Sequence, residues 1–372
     1  MRTRRLTPAL VLGLVLAVGL AASAVAAPGD KVWQSTFNGP GLTDEGGYIT
    51  RSRDGATVII TGPGSPTLGD PSDIVTVAYD AATGAQRWAR RIDGPAIDGS
   101  DRPSGIVASP TADLVFVTGS VATATGYNNW RVTASAISPG NLVWTRGFAG
   151  SDGLDDSPGA IAVGPGGGRV YVAGTEQFGS GGQAIRTISN DAATGATAWS
   201  RIAGNADTYA FANAIAVSPD GSRVVVAGGS GGPQGPQLRA VVTSYRAKDG
   251  QPQWKRLMAR SPSLAGGDIS FDRFDAVGVS PDGSKIFAVG GTTTGSGTSA
   301  ILVVSLAAPS GTPQWTVRRA ATAPGFAQGN ALSVGPGGAR IFVTGTDPRA
   351  TGARDWIVLA YRVTDGTTAW VR

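Results

Sequence analysis

Carboxylates and aromatic rings recur at one fixed place along this chain, ahead of a repeated turn whose first residues are Ser52, Ser109, Gly164, Ser218, Ser280 and Gly335. Eight residues before it stand Asp44, Asp101, Asp156, Ala210, Asp272 and Ala327, and nine before it stand Thr43, Ser100, Asp155, Tyr209, Phe271 and Phe326. Two chemistries are open to such a set. Carboxylates can ligate calcium through oxygen, or serve as the acid and base of glycoside cleavage when two are suitably spaced. Aromatic rings offer apolar surface at low entropic cost, which suits a sugar or peptide. Against both, a loop Asp often accepts backbone N–H groups and only holds its loop. The acidic stretches Asp98 to Asp101 and Asp152 to Asp156 lack the length and spacing of a calcium-binding loop. The expectation is a ligand-contacting set, Asp44, Asp101, Asp156, Asp272, Tyr209, Phe271 and Phe326, with no catalytic residue, no metal and no cofactor.

The residue types that are absent narrow the chemistry further. The chain has no His and no Cys, which excludes Ser-His-Asp triads, His- or Cys-ligated zinc, disulfides and redox thiols. The same absence excludes a lipid-modified cysteine at the N-terminus.

The elements that must carry these residues are set by a longer period. Trp33, Trp88, Trp144, Trp199, Trp254, Trp315 and Trp370 recur at intervals of 55, 56, 55, 55, 61 and 55 residues, and each of the last six follows a glycine by four: Gly84, Gly140, Gly195, Gly250, Gly311 and Gly366. Midway between them lies a turn followed by an alternating strand that ends in glycine, over 52–62, 109–119, 164–174, 218–228, 280–290 and 335–345. In the fourth unit, strand a covers Ala214 to Ser218, the Pro219-Asp220-Gly221 turn leads to strand b (Arg223 to Gly228), strand c is Leu238 to Tyr245, and strand d contains Trp254. Pro presets φ, Asp bonds its own backbone and Gly accepts positive φ, so these turns have a mechanism. No helical period is present. Four short strands repeated without helices predict an all-β β-propeller. It has six four-stranded blades in a single ring, with seven as the alternative. The segment Lys31 to Phe37 then reads as a strand d without its own blade. It would add to or compete at the seam, where the Trp370 strand already fills the closing place.

At strands c and d, Ala78-Tyr-Asp80-Ala-Ala-Thr83-Gly84-Ala-Gln-Arg-Trp88 resembles the tryptophan-docking motif of pyrroloquinoline-quinone-type propellers, A-x-D-x-x-T-G-x-x-x-W. Ser189 to Trp199 is similar except at its first position, and the remaining units keep the glycine and the tryptophan. Strands a and b, such as Asp156 to Gly174, resemble the generic bacterial β-propeller repeat. The resemblance covers nearly all of residues 31–372. It implies that all seven repeat tryptophans dock between neighbouring blades. It also implies a contrast, since the quinone dehydrogenases have eight blades, a vicinal disulfide against the cofactor and a bound calcium, and this chain has no Cys to build that site.

The N-terminus has the pattern of a secretory signal: Arg2, Arg4 and Arg5, an apolar run from Leu10 to Ala22, and Ala24-Val25-Ala26 before a cleavage point. Residues 1–26 are expected to be the signal peptide and 27–372 one propeller domain, secreted to the periplasm or outside the cell, with no stable membrane anchor after cleavage. Three of the 31 basic residues lie in that signal, leaving 28 against 26 acidic ones, and no basic stripe for a nucleic acid stands out. A glycine count of 56 beside 41% hydrophobic residues marks turns in a packed protein. The expected protein is a monomeric, non-catalytic scaffold whose variable loops bind a protein, peptide or glycan. A carbohydrate-active hydrolase or lyase using the loop carboxylates is the alternative, and after it a quinone-dependent oxidoreductase.

Overall fold

The repeated turn is closed by its own first residue. Ser218 Oγ accepts the Arg223 N–H at 3.0 Å, Ser218 O accepts the Gly221 N–H at 2.8 Å, and Asp220 Oδ1 accepts the Ser222 N–H at 3.1 Å. Gly221 takes φ +70°, in the left-handed region that glycine tolerates. The chain therefore reverses in four residues. In the computed structural model the flanking segments pair as Tyr209–Val217, Arg223–Gly231, Gln237–Arg246 and Pro252–Leu257, all antiparallel.

The structure describes residues 31–39, 44–65, 67, 71–94, 96, 99–232, 237–258, 270–295 and 298–372. The expected signal peptide over 1–26, and Thr43 and Asp98, lie outside these. Two compact units are present, Met1–Gln34 and Ser35–Arg372. Of the first, the described residues 31–34 carry no strand.

The second unit is a succession of four-stranded antiparallel sets with no helix among the described residues. Blade 1 is Tyr48–Arg51, Thr57–Gly64, Asp73–Asp80 and Gln86–Ile92. Blade 2 is Arg102–Ala108, Leu114–Ala122, Asn128–Ala136 and Leu142–Phe148. Blade 3 is Ser157–Val163, Arg169–Gln177, Gln183–Asp191 and Thr197–Ala203. Blade 4 is the set above. Blade 5 is Arg273–Val279, Lys285–Gly295, Thr298–Ala307 and Pro313–Ala320. Blade 6 is Gln328–Val334, Arg340–Pro348, Arg354–Arg362 and Thr368–Val371. By hydrogen bonding these form five sheets, because the parallel pair Gln183↔Tyr209 joins blades 3 and 4 into one. The all-β propeller class is as the repeat predicts.

Apolar residues alternate along the strands, so successive blades pack face to face. Phe287, Val289, Ile301 and Val303 of blade 5 pack on Ile341, Val343, Leu359 and Tyr361 of blade 6, and equivalent cores join blades 1 to 2, 2 to 3, 3 to 4 and 4 to 5. Each fully buried aliphatic or aromatic side chain contributes about 1.5–3 kcal/mol.

Tryptophan docking is explicit between blades. The indole N–H of Trp88, Trp144, Trp199, Trp254 and Trp315 donates to the carbonyl of Ile137, Ala192, Ala247, Ala308 and Val363 in the next blade, at 2.6, 2.9, 2.9, 2.9 and 3.0 Å. The motif's other residues have local roles. Asp80 Oδ1 accepts from the Ala82 and Thr83 N–H groups and the Thr83 hydroxyl, and Asp191 repeats this with Ala193 and Thr194.

One expectation changes: among the described residues, Lys31 to Phe37 forms no strand. The Trp370 strand fills the fourth place of blade 6, pairing Ala360↔Trp370 and Leu359↔Val371.

Candidate functional site

Antiparallel order within a blade puts the a–b and c–d turns on one face and the longer b–c and d–a connections on the other. The expected ligand residues all lie on the second face. There the four aspartates turn inward. Asp101 is fully buried and accepts N–H groups from Gly94 in its own loop and from Ala122 at 2.8 Å. Asp156, also fully buried, accepts from Gly150 and from Gln177 at 3.1 Å. Asp272 accepts from Thr293 at 2.7 Å, and Asp44 from Gly39 at 2.7 Å. Ala122, Gln177 and Thr293 each stand three residues beyond the glycine of strand b, so one device is used three times. A carboxylate beneath each of these loops ties the incoming d–a segment to the outgoing b–c segment.

Burial raises the Asp101 and Asp156 carboxyls above the ordinary value, against backbone donors that pull them down. Where the series has Ala327, the staple comes from the opposite side: Asp347 accepts the Thr322 N–H at 3.0 Å and pairs with Arg319 at 2.8 Å.

The aromatic members face outward. Phe271 and Phe326 are 55% and 51% exposed, and Tyr209 is half-buried with its ring edge-on to Phe211. Tyr209, Phe271 and Phe326 bridge in parallel to Gln183, Leu238 and Ser299 at the start of the preceding blade's strand c. They therefore hold one register position in three successive blades. In blade 3 that place belongs to Asp155, which accepts the backbone and side-chain N–H groups of Asn128 at 2.8 and 3.0 Å. The structure thus separates the expected set into buried carboxylates that hold loops and aromatic rings that present surface.

One acidic group has the spacing of a metal site among the described residues. Carboxylate oxygens of Asp73, Asp93 and Asp101 lie within 4.8 Å of one another. Arg91 pairs with Asp73 and stands 3.8 Å from Asp93, supplying a cation there itself.

A polar cluster escaped the sequence reading. Strands a pack side by side from blade 1 to blade 6 and form the inner wall. On it, Asp275 accepts from Arg273 at 3.0 Å, from Asn213 of blade 4 at 3.2 Å and from Gln328 of blade 6 at 2.9 Å. Burial raises the Asp275 carboxyl, opposed chiefly by Arg273. Asn213 and Asp275 sit at β-bulges, where the register shifts between Ala212 and Ala214 and between Phe274 and Ala276. The signal was available: Ser104, Asn213, Asp275 and Asn330 all stand five before the repeated turn, polar residues within apolar strands.

With this geometry in hand, comparison with known proteins is informative about family and fold. A family model described as outer membrane protein assembly factor BamB, of the PQQ repeat type, matches residues 71–370. No curated protein matches the chain. Among solved structures, the chain is similar to the Dos1 propeller, with 10% identity, TM-score 0.54, and coverage of 87% of this chain and 70% of that one. It is similar also to the RRP9 WD40 repeats, with 10% identity, TM-score 0.50, and coverage of 87% and 78%. BamB from Moraxella catarrhalis matches with 14% identity, TM-score 0.46, and coverage of 83% and 74%. Such identities speak to the fold alone, whereas the family match spans most of the repeats. The chain belongs to the family of the outer membrane protein assembly factor BamB.

Proposed function

We propose that this protein is an exported, non-catalytic binding scaffold that takes a protein or peptide ligand, or a glycan, on the face formed by its b–c and d–a connections. The observation that carries this reading is the contrast on that face. The stapling carboxylates are occupied by backbone donors, while Phe271 and Phe326 are each more than half exposed at the same register position of adjacent blades. Rigid aromatic rings on a fixed frame are the usual anchors of an interface. A protein ligand accords with the family description, an assembly factor for outer membrane proteins. Export, to the periplasm or beyond, accords with the arginine-led apolar N-terminus and with that description. A hydrolase would need two carboxylates open to substrate, and Asp101 and Asp156 are both closed off.

The test is thermal unfolding of residues 27–372 against extended peptides, cell-wall and plant oligosaccharides, Ca²⁺, and pyrroloquinoline quinone with Ca²⁺. A ligand at a hundred times its Kd stabilises the fold by about 2.7 kcal/mol. The reading expects a shift with a peptide or glycan that a Phe271→Ala, Phe326→Ala double variant abolishes. A shift with quinone alone, or one indifferent to the double variant, would reject it.

A further inference from the structure

Among the described residues, blade 6 carries a docking face that packs on no further blade. Trp356 and Trp130 occupy one register position, each pairing with the residue that follows the strand b glycine, Thr346 and Ser120. Trp130 is 0% exposed: its indole N–H donates to Thr175 O of blade 3 at 3.3 Å, and a Cβ on Gly174 would fall 2.8 Å from its ring. Trp356 is 90% exposed. The docking tryptophan of blade 6 repeats the contrast. Phe342 and Trp370 stack at 6.0 Å, as Phe116 with Trp144 and Phe287 with Trp315 do at 5.9 and 6.0 Å. Phe116 and Phe287 are fully buried by the following blade, and Phe342 is only half-buried.

Blade 1 is the other side of the same gap. Ile49 is 68% exposed, while its register equivalent Ile106 packs on blade 1. Blade 1 presents a cavity of about 260 Å³ lined by Ile60, Val75, Val77 and Tyr79 together with Ser35 to Phe37. The Ser35 hydroxyl donates to Gly84 O. In other blades that bond comes from the residue two after the docking tryptophan: Arg90 to Gly140 O, Arg201 to Gly250 O and Arg256 to Gly311 O, at 2.9, 3.0 and 2.9 Å. Ser35 stands two after Trp33. Its segment thus has the docking bond of a fourth strand. Among the described residues, no strand of blade 6 packs on blade 1 as neighbouring blades pack elsewhere.

We propose that this gap binds a three-stranded antiparallel β-sheet donated by a separate polypeptide, which completes a further blade between blades 6 and 1. Its chemistry is dictated by what Trp130 and Trp144 meet. It needs alternating apolar residues, a glycine ending its second strand to lie under Trp356, and a carbonyl followed by a positive-φ glycine after its third to receive Trp370. This surface is distinct from the loop face that holds Phe271 and Phe326.

The experiment titrates a fluorophore-labelled peptide of residues 156–196, the strands that receive Trp130 and Trp144, into the full chain and follows anisotropy. The expected result is saturable binding that Trp356→Glu weakens by about tenfold or more, the loss of one anchoring aromatic, and that Phe271→Ala leaves unchanged. Variants are first matched to the parent by their β-sheet circular dichroism, and Trp356→Gln replaces any that misfolds. No saturable binding, or equal binding to the Trp356 variants, overturns the proposal. A second measurement follows maleimide labelling of Trp356→Cys, which would carry the chain's single thiol. Labelling at the rate of a free thiol that slows on adding the peptide supports the proposal. Slow labelling of the chain alone, or labelling that slows with chain concentration, overturns it in favour of closure on blade 1 or on a second copy.

Discussion

A Cβ placed on Gly250 would fall 2.7 Å from the ring of Trp199, whose indole N–H reaches over that glycine to Ala247 O. The same contact recurs at Gly195 with Trp144, Gly311 with Trp254 and Gly366 with Trp315. The glycine spaced four before Trp144, Trp199, Trp254, Trp315 and Trp370 is therefore the floor on which the previous blade's tryptophan lies. Gly250→Ala meets two penalties, about 1–2 kcal/mol for a side chain at φ +71° and about 1–3 kcal/mol for overpacking against the ring. Urea unfolding should show a lower midpoint with an unchanged slope.

The five docked tryptophans should differ from Trp370. Trp144→Phe keeps most of the ring but leaves the Ala192 carbonyl without its donor, at a cost of about 1–3 kcal/mol. Trp370→Phe, which meets no following blade among the described residues, should stay within about 0.5 kcal/mol of the parent. Equal losses in the two variants would show that Trp370 is docked in solution.

Carboxyls of opposite shift should respond oppositely to pH. Asp220 is held down to about 2, first by the Ser218 hydroxyl, so it adds stability that is complete above the unfolded value of 3.8 and is lost as pH falls toward 2. Asp156 is raised by burial, so its contribution has the other sign: it grows as pH falls through the raised pKa and is lost above it. The cost of Asp220→Asn should shrink between about pH 6 and pH 2.5, and that of Asp156→Asn should grow over the same interval. Unfolding curves of both variants at the two pH values check the signs.

Phe271→Ala and Phe326→Ala remove side chains that are mostly in water. Each should change stability by no more than about 0.5 kcal/mol, so any loss of ligand binding reports contact and not unfolding. A drop beyond about 2 kcal/mol in either would identify the ring as core.

The repeat made the blades legible because a turn such as Ser218 to Arg223 is specified by four adjacent residues and because the middle strands of a blade are apolar on both faces. The loop carboxylates were legible as a series but not as a function. Asp101 at one fixed offset from the turn reads the same whether it points to a ligand or to the Gly94 and Ala122 N–H groups, and only the path of two loops distant in sequence decides. Asp275 was missed for a related reason. Its partners Asn213 and Gln328 lie 62 and 53 residues away, joined by the succession of blades and not by local spacing. Lys31 to Phe37 has strand-like composition, yet a strand exists only where another backbone accepts its hydrogen bonds.

The side-by-side packing of strands a, continuous from blade 1 to blade 6 and, among the described residues, interrupted between blade 6 and blade 1, has a thermodynamic corollary. Such a row is a one-dimensional array with two ends, and each unit is stabilised by its nearest neighbours alone. Blades 3 and 4, joined by Gln183↔Tyr209 and flanked on both sides, form the cooperative centre, whereas blades 1 and 6 each lack one neighbour and fray first. Native-state hydrogen exchange should then map a gradient of protection, highest at Val225 and Val241 and falling toward Ile49 on one side and Val358 on the other. An occupant of the gap would turn the row into a ring and flatten that gradient.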